Sequence, residues 1–391
     1  MNENDIPKPV WITTNTELEN SCKHWLAEPY LALDTEFIRT NTFYPIAGLF
    51  QVADSQQCYL IDPLLIDDWQ AFRTVLCAPA VVKVFHACSE DLEVCRHLTG
   101  LLPSPLADTQ IAASLTGIGS NVGFQRLLEE LLDIHLPKEE TRSNWLQRPL
   151  ADKQVVYAVA DVYFLYQIYP KLIEKLEELE RKQWLMEDCQ KLLEQSERAD
   201  QPEYYFTRFK QMWKLKPQQL FLLKELSGWR EHQARLENIP RNNVIDSDSL
   251  WNMAFYKAQT KEQMIQSGVK PYAARKYNEE LLPLIEQWLK VEPSQWPQPT
   301  PRPLSIGAGK YYKAIKKTVL AQAERLNIPA EMLAGKKSLE LLLRSGYPQG
   351  TFVLPRGLLG WREQVVGSQL INQLETAACE FIEDQHDENT L

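Results

Sequence analysis

Two carboxylates stand one residue apart in an otherwise largely apolar segment, LALDTEF at residues 31–37. If this segment is a β-strand, Asp34 and Glu36 point to the same face, because side chains alternate between the two faces of a strand. Burying two negative charges together is unfavourable unless a positive charge compensates them. The pair is therefore a candidate site for a divalent cation, although most such pairs on strands simply face solvent.

A third acid, Asp91, follows the apolar segment VVKVFHA at residues 81–87, which is predicted to be a buried strand. A helix is predicted directly after this strand, with Ser89 as its N-cap and Asp91 in its first turn. The carboxylate then has two interpretations. It is either a further metal ligand or an acid that stabilises the helix through the helix dipole.

A tyrosine and a fourth acid stand four residues apart, at Tyr157 and Asp161, in the segment QVVYAVADVYFLY. In a helix this spacing places both side chains on one face, one turn apart. The neighbouring positions are apolar almost all round the helix, so an aspartate among them is unexpected on packing grounds. Asp161 is therefore a candidate ligand, whereas core packing alone explains a tyrosine at position 157.

A sheet and several helices are needed to bring these residues together. Three β-like segments come early and close together, and a fourth follows a helical stretch, at residues 31–37, 48–54, 58–62 and 81–87. Strands that later alternate with helices predict an α/β domain with a mixed sheet covered by helices. From about residue 202 onward the β signal fades and helices dominate.

A proline-rich segment, PSQWPQPTPRP at residues 293–303, divides the helical half and holds five prolines in eleven positions. Proline fixes its own φ and lacks the amide donor, so a stiff, extended linker without helix or strand is predicted. Further helices are predicted over 304–372. The acidic tail, 373–391, ends in EDQHDENTL, which is predicted to be disordered.

One short pattern occurs on both sides of the linker. Ile-Pro at 239–240 is followed after eight residues by Ser-Leu at 249–250, and Ile-Pro at 328–329 is followed in the same way by Ser-Leu at 338–339. The offset of 89 residues suggests two copies of one helical module. A pattern this short also arises by coincidence, so the duplication is a hypothesis.

Composition narrows the classes of protein to which the chain can belong. No apolar run approaches the ~20 residues that a membrane-spanning helix requires, and the N-terminal segment MNENDIPKPV has no features of a signal peptide. The seven cysteines form no C-x-x-C pair, and the six histidines show no metal-binding spacing. A cytoplasmic protein with reduced thiols and no membrane association is expected, and a metal site is expected to use oxygen ligands.

The charges are distributed unevenly along the chain. The net charge is −10, but residues 1–202 hold 17 Lys and Arg against 31 Asp and Glu, whereas residues 203–372 hold 25 against 15. An acidic first half joined to a basic second half is typical of an enzyme that acts on nucleic acid. A chance difference between two solvated surfaces explains the charges equally well.

Taken together, these motifs resemble the DEDD superfamily of 3′→5′ exonucleases. Its three motifs occur here in order, as D-T-E at 34–36, H-x-x-x-x-D at 86–91 and Y-x-x-x-D at 157–161. The segments GLFQ at 48–51 and W-L-x-R-P-L at 145–150 resemble the ribonuclease D family in particular. Because the third motif carries a tyrosine, the chain is similar to the tyrosine branch of the superfamily.

The resemblance implies a ribonuclease H-like fold for residues 1–200, an α/β mixed-sheet nuclease domain that is followed by two all-α helical modules. Residues 203–292 resemble the HRDC module that helicases share with ribonuclease D, and residues 304–372 resemble a second, diverged copy. The linker at 293–303 and the acidic tail at 373–391 complete the predicted domain organisation.

The resemblance also implies an activity. Members of the family remove 5′-mononucleotides from the free 3′ end of RNA, typically tRNA precursors, with two divalent metal ions, Mg²⁺ or Mn²⁺. By this resemblance the catalytic metal ligands are Asp34, Glu36, Asp91 and Asp161, and Tyr157 orients the attacking water. No obligate protein partner is indicated. Two alternatives stay open: a DNA-directed 3′→5′ exonuclease of proofreading or repair, and a catalytically silent RNA-binding adaptor.

Substrate-binding residues are predicted from weaker signals. Phe37 and His86 are expected to line the terminal nucleotide, although a histidine at a strand end is usually only a satisfied polar residue. Asp108 is expected to cap a helix or to support a metal ligand. Four lysines give one predicted helix a basic face that either contacts phosphate or is merely solvated, namely Lys310, Lys313, Lys316 and Lys317.

Overall fold

A computed structural model of the chain describes residues 6–135 and 143–378. Their contacts divide the chain into two compact units. The first comprises Met1–Glu36, Ala47–Leu192 and Leu304–Leu391, and the second comprises Phe37–Ile46 and Leu193–Pro303. The four candidate acids and the last helical segment thus belong to the same unit, whereas the middle helical segment forms most of the other.

A six-stranded sheet runs through the first unit. The strands are β1 Val10–Ile12, β2 Tyr30–Ile38, β3 Ile46–Ala53, β4 Cys58–Ile61, β5 Val82–Phe85 and β6 Leu106–Asp108. Their order in the sheet is β1-β4-β3-β2-β5-β6. Strand β4 pairs antiparallel with β3 and parallel with β1, and β5 pairs parallel with both β2 and β6. The predicted mixed sheet is confirmed.

Strand β2 lies inside the sheet, between β3 and β5. Its residues Leu31, Ala32 and Leu33 are fully buried, and Ala32 pairs with Val84 of β5. An interior strand needs apolar residues on the faces that helices cover, which explains the hydrophobic run before the two carboxylates. The sequence predicted neither β1 nor β6, because three residues are too few for an alternating pattern to be recognised.

The described residues of the first half contain seven α-helices. They are α1 Asn15–Trp25, α2 Gln70–Leu76, α3 Ser89–Thr99, α4 Thr109–Leu115, α5 Phe124–Leu132, α6 Asp152–Glu178 and α7 Lys182–Ala199. Helix α6 packs against β4, β5, α4 and α5. This central position explains why its sequence is apolar almost all round: Ala158, Val162 and Leu165 are buried.

Helices form most of the second unit. They are α8 Pro217–Leu236, α9 Arg241–Val244, α10 Ser247–Tyr256, α11 Lys261–Gln266 and α12 Pro271–Leu289, with 3₁₀ turns at Pro202–Arg208 and Met212–Lys214 before them. Leu223, Leu226, Met253 and Leu281 are among the buried residues of its hydrophobic core. This core belongs to the second unit and is separate from the sheet.

The last helical segment belongs to the first unit. Its helices are α13 Ile306–Leu326, α14 Ala330–Leu333, α15 Lys336–Gly346 and α16 Ser368–Ala377. A single π-helical turn, Glu363–Gly367, precedes α16. Ile315, Leu342 and Leu370 are fully buried and lie between these helices.

The two helical segments have the same order of elements. In each, a long helix is followed by an asparagine with positive φ, Asn238 at 49° and Asn327 at 50°, and then by an Ile-Pro pair. Asparagine tolerates the left-handed conformation better than most residues, so it reverses the chain after the helix. A four-residue helix and a further helix follow, α9 and α10 in one segment and α14 and α15 in the other. The repeated sequence pattern therefore marks a repeated structural unit.

Two sequence expectations differ from the structure. The linker is not free of helix, because Pro293–Gln295 forms a 3₁₀ turn with proline at its first position, where the missing amide donor costs nothing. The boundary predicted at residue 372 falls inside α16, which continues to Ala377 because Leu370 and Leu374 extend one buried face. The predicted disorder of residues 383–391 lies outside the described residues.

Candidate active site

The carboxylates of Asp34, Glu36 and Asp161 converge in the first unit. One oxygen from each lies within 4.8 Å of the others. Asp34 and Glu36 stand on β2 and share a face, as the alternation of side chains requires. Asp161 comes from the middle of α6, which packs against the neighbouring strand β5. Strand and helix together place three oxygen ligands around one point.

Asp91 is linked to the strand that carries Asp34 and Glu36, through the residue between them. The hydroxyl of Thr35, the residue between the two β2 acids, donates to Asp91 Oδ1 at 2.5 Å. Asp91 is buried in the first turn of α3, as predicted. The sequence analysis did not single out Thr35, because a threonine between two acids on a strand has no distinctive pattern.

The prediction that Ser89 is the N-cap of α3 is wrong. The helix begins at Ser89, and its N-cap is Cys88, whose side chain makes no capping hydrogen bond. The carboxylate of Asp108 instead accepts hydrogen bonds from the amides of Ala87 and Cys88, at 3.1 and 3.0 Å. Asp108 is also the N-cap of α4, which confirms its predicted capping role. One aspartate thus fixes the turn that positions Asp91.

Burial and mutual repulsion make these acids hard to ionise. Burial, followed by the charges of Asp91, Asp161 and Glu36, raises the pKa of Asp34 well above its ordinary value of 3.8. Burial and then Asp161 and Asp91 raise the pKa of Glu36 to about 9. Burial raises the pKa of Asp91 to about 6, although hydrogen bonds from Thr35 oppose this increase. A cation would remove the repulsion, so the donor set fits a hard divalent metal ion.

Helix α6 also carries Tyr157, one turn before Asp161. The ring of Tyr157 lies beside that of Trp145, with centroids 6.1 Å apart. Trp145 is buried, and the backbone around it is held by Arg148, which donates to Asp62 at 2.5 and 2.6 Å and to the carbonyl of Gly48 at 2.7 Å. The W-L-x-R-P-L motif therefore has a physical role: its arginine fixes the segment that places Trp145 beside Tyr157.

Gly48 permits the close approach of this segment to the sheet. A Cβ atom at position 48 would lie 2.6 Å from the carbonyl oxygen of Trp145, far inside van der Waals contact. The glycine of the GLFQ motif is therefore needed because the Trp145 backbone passes directly over β3. The sequence contained both motifs but gave no sign that they touch.

The candidate substrate-binding residues lie in several places. His86 Nδ1 is 2.9 Å from the Thr109 hydroxyl, and burial lowers the pKa of the imidazole, which favours its neutral form. Phe37 continues β2 in the segment that belongs to the second unit. The four lysines are exposed on α13, a different element from those that carry the acids, at Lys310, Lys313, Lys316 and Lys317.

Three clustered carboxylates with a fourth, Asp91, close by, on a mixed sheet and its covering helices, are typical of 3′→5′ exonucleases. Residues 9–177 match the protein-family model described as 3′-5′ exonuclease. Residues 219–285 match the HRDC domain, and residues 309–370 match the C-terminal HRDC domain of ribonuclease D. The chain belongs to the ribonuclease D family, and both the predicted resemblance and the predicted fold class are confirmed.

Relatives of known identity cover nearly the whole chain. Ribonuclease D of Pseudomonas paraeruginosa is 45% identical over 372 residues, which is 95% of this chain and 99% of that protein. Ribonuclease D of Escherichia coli is 35% identical over 371 residues, 93% and 98% of the two chains. The crystal structure of Escherichia coli RNase D is described as that of an exoribonuclease involved in structured RNA processing. It superposes with a TM-score of 0.87 at 34% sequence identity, and the match covers 95% of this chain and 99% of that chain.

Within the described ranges, no helix combines the length and the apolar character that crossing a membrane requires.

The substitution Glu36→Gln tests the electrostatics of the acid cluster in the metal-free protein. A carboxyl whose pKa rises from 4.5 to about 9 on folding makes its full contribution to the free energy of unfolding below pH 4.5, where it is protonated in both states. That contribution is lost as the pH rises through about 9, because the unfolded chain ionises freely and the folded chain does not. At about pH 8 and with chelator, Glu36→Gln is therefore expected to unfold at a higher urea concentration than the wild type.

The exposed neighbour Glu90 offers a matched control, since Glu90→Gln removes the same charge from the protein surface near the site. It is expected to change the unfolding midpoint very little. Equal stability of Glu36→Gln and wild type at about pH 8 would contradict the assigned repulsion.

Proposed function

We propose that tRNA precursors are the substrates of this enzyme, a metal-dependent 3′→5′ exoribonuclease of the ribonuclease D family. The convergence of Asp34, Glu36 and Asp161, with the buried Asp91 close by, is the observation that carries the proposed hydrolysis, since acids with raised pKa values occur preferentially at functional sites. The released products would be 5′-mononucleotides, removed one at a time from a free 3′ end.

Asp34, Glu36, Asp91 and Asp161 are assigned as ligands of two divalent ions, Mg²⁺ or Mn²⁺. The set consists of oxygen donors only, which suits these hard cations. When bound, the two ions would supply an activated water and would stabilise the departing 3′ oxygen. The chain itself holds the ligands in place: Thr35 orients Asp91, and β2 presents the other two acids on one face.

Tyr157 is assigned to orient the attacking water by a hydrogen bond. A phenol with an ordinary pKa of ~10 is a poor general base near neutral pH, so positioning is the better role. Its place one turn from Asp161 supports this assignment.

We expect Tyr157→Phe to lower kcat about 10²-fold, the lower end for positioned proton-transfer groups, while metal affinity stays within about twofold. Single-turnover hydrolysis and metal titration on the same preparation measure both quantities. Tyr163→Phe, one and a half turns further along the same helix, is the matched control and should retain the wild-type rate. A wild-type rate for Tyr157→Phe would mean that the tyrosine only packs.

The basic half of the chain is proposed to bind the body of the RNA. In the second unit, a groove is lined by aromatic and basic side chains, including Tyr205, Arg208, Phe209, Lys210 and Trp251. Aromatic faces stack on unpaired bases while cations contact phosphate, a combination that suits single-stranded RNA. The four exposed lysines of α13 provide a second basic surface, in the first unit.

We propose a nuclease domain at 1–200, HRDC modules at 203–292 and from residue 304 to the end of α16 at Ala377, a linker at 293–303 and an acidic tail after α16. A cytoplasmic location is proposed as well. The six cysteines within the described residues are free thiols, which suits a reducing compartment.

Matched RNA and DNA oligonucleotides, each with a free or a blocked 3′ end, test the proposed activity. Mononucleotide release from the unblocked RNA only is the expected result. Equal hydrolysis of DNA would favour the DNA-directed alternative, and no hydrolysis of any oligonucleotide would favour the RNA-binding adaptor. A tRNA precursor with a 3′ trailer, compared with the mature tRNA, tests the proposed substrate.

A further inference from the structure

A second cluster of metal-ligating side chains lies in the first unit and uses none of the four acids. His24 is in the last turn of α1, Glu28 follows that helix, and Asp54 begins the turn from β3 to β4. One ligand atom from each residue lies within 4.8 Å of the others. The cluster therefore joins the end of a helix to the end of a strand.

Two of the facing atoms are buried without a hydrogen-bond partner among the described residues. These are His24 Nε2 and Asp54 Oδ2, which lie 3.4 Å apart. The side chain of Asp54 is fully buried and that of Glu28 is 9% exposed. An unpaired buried carboxylate oxygen is unfavourable by itself, so its orientation toward the imidazole requires an explanation.

The distances within the cluster do not describe a hydrogen-bonded ion pair. His24 Nε2 is 3.4 Å from Asp54 Oδ2 and 3.5 Å from Glu28 Oε1. A charged imidazole bound to a carboxylate would approach to about 2.7–2.9 Å. Two ligands of a tetrahedral ion, with bonds of ~2.0–2.2 Å, stand about 3.3–3.5 Å apart. Both distances match the edge of such a tetrahedron.

Other polar groups orient the two carboxylates. The Ser55 hydroxyl donates to Glu28 Oε1 at 2.8 Å, and the amides of Gln56 and Gln57 donate to Asp54 Oδ1 at 2.8 and 2.9 Å. Asp54 Oδ2 is thereby directed at His24. The Tyr59 hydroxyl also interacts with the Asp54 carboxylate. Such supporting hydrogen bonds are typical of metal ligands.

We propose that His24, Glu28 and Asp54 bind a Zn²⁺ ion. One imidazole and two carboxylates are common zinc donors, and three protein ligands leave the fourth position to water. The imidazole is 40% exposed, which leaves a path for the ion and for that water. The C-terminal end of α1 favours a cation through the helix dipole. The ion would fasten α1 to the turn between β3 and β4.

Zinc binding to the full-length chain tests the proposal. Because the catalytic acids also bind cations, the comparison is made in an Asp34→Asn background, with Zn²⁺ alone as the probe. Elemental analysis after gel filtration is expected to find one tightly held zinc per chain. Adding His24→Gln should remove it or weaken binding by more than about tenfold, the least that losing even a supporting group costs. Glu28→Gln is a second variant with the same expectation.

His135→Gln is the matched control, since His135 lies 3.3 Å from Glu129 on the surface and outside both of the three-residue clusters found in the described chain. It should leave the zinc content unchanged. Cobalt substitution adds a spectroscopic measurement, because four-coordinate Co²⁺ absorbs strongly in the visible region. Folding of each variant is checked by circular dichroism.

Two results would overturn the proposal: zinc content and affinity that are the same in folded His24→Gln and its parent, or a parent protein that holds no zinc. The second result would leave the three side chains as a polar cluster that binds no metal. Neither result bears on the catalytic acids, which are altered only in the shared background.

Discussion

Asp34→Asn is expected to reduce RNA hydrolysis to less than about one-hundredth of the wild-type rate at saturating Mg²⁺. The loss of a single well-placed electrostatic group commonly costs ~10²–10³-fold, and Asp34 is at the centre of the acid cluster. One of its oxygens lies within 4.8 Å of those of Glu36 and Asp161, and the charge of Asp91 also raises its pKa. The asparagine has the same shape but one negative charge fewer, which weakens metal binding while leaving the strand intact.

Asp161→Asn is expected to behave in the same way, because its carboxylate belongs to the same three-residue group. Asp152→Asn provides the control on the same helix: Asp152 is exposed in the first turn of α6 and away from the cluster. It should keep the full rate. A folded Asp34→Asn protein with more than a few per cent of the wild-type rate would exclude the assigned metal site.

Arg362→Ala is expected to destabilise the first unit by about 3–5 kcal/mol, the usual cost of removing one partner from a buried ion pair. The guanidinium of Arg362 holds both oxygens of Asp188 on α7, at 2.5 and 2.8 Å, and the two side chains are only 11% and 7% exposed. The indole of Trp361 donates to the same carboxylate at 3.1 Å and stacks on Trp184 with ring centroids 4.3 Å apart.

Urea unfolding of the full-length chain measures this cost. Lys182→Ala is the control, since its ion pair with Glu177 is more than half exposed and is worth about 0–1 kcal/mol. Adding Asp188→Asn to Arg362→Ala should recover part of the lost stability, because the unpaired buried charge disappears. A change of less than about 1 kcal/mol for Arg362→Ala would show that this contact does not stabilise the unit.

The same contacts show that the last helical segment is an integral part of the first unit. Arg181, just before α7, donates to the carbonyl oxygens of Leu115 on α4 and Leu326 on α13, at 2.7 and 2.8 Å. Ser120 donates to Glu331 at 2.6 Å. A truncation near residue 200 would therefore uncover buried side chains on and next to α7, including Arg181 and Asp188, so point substitutions are the better probes of RNA binding.

Local patterns in the sequence determined the main elements of the candidate active site. Alternation along a strand placed Asp34 and Glu36 on one face, and a four-residue spacing placed Tyr157 and Asp161 on one helix face. These rules hold because backbone geometry alone sets the direction of neighbouring side chains. The order of β-like and helical segments predicted the mixed sheet, and the recurring Ile-Pro and Ser-Leu pairs marked the repeated helical unit.

Only the tertiary structure decided which distant residues meet. Thr35 reaches Asp91 across 56 residues, Arg148 reaches Asp62 across 86, and Arg362 reaches Asp188 across 174. Ser89 is an example: the local capping rule favoured its side chain, but the helix begins at Ser89 itself, and Asp108 at the end of a neighbouring strand binds the amides of Ala87 and Cys88. The packing of elements creates such contacts, and no short-range period of the chain encodes them.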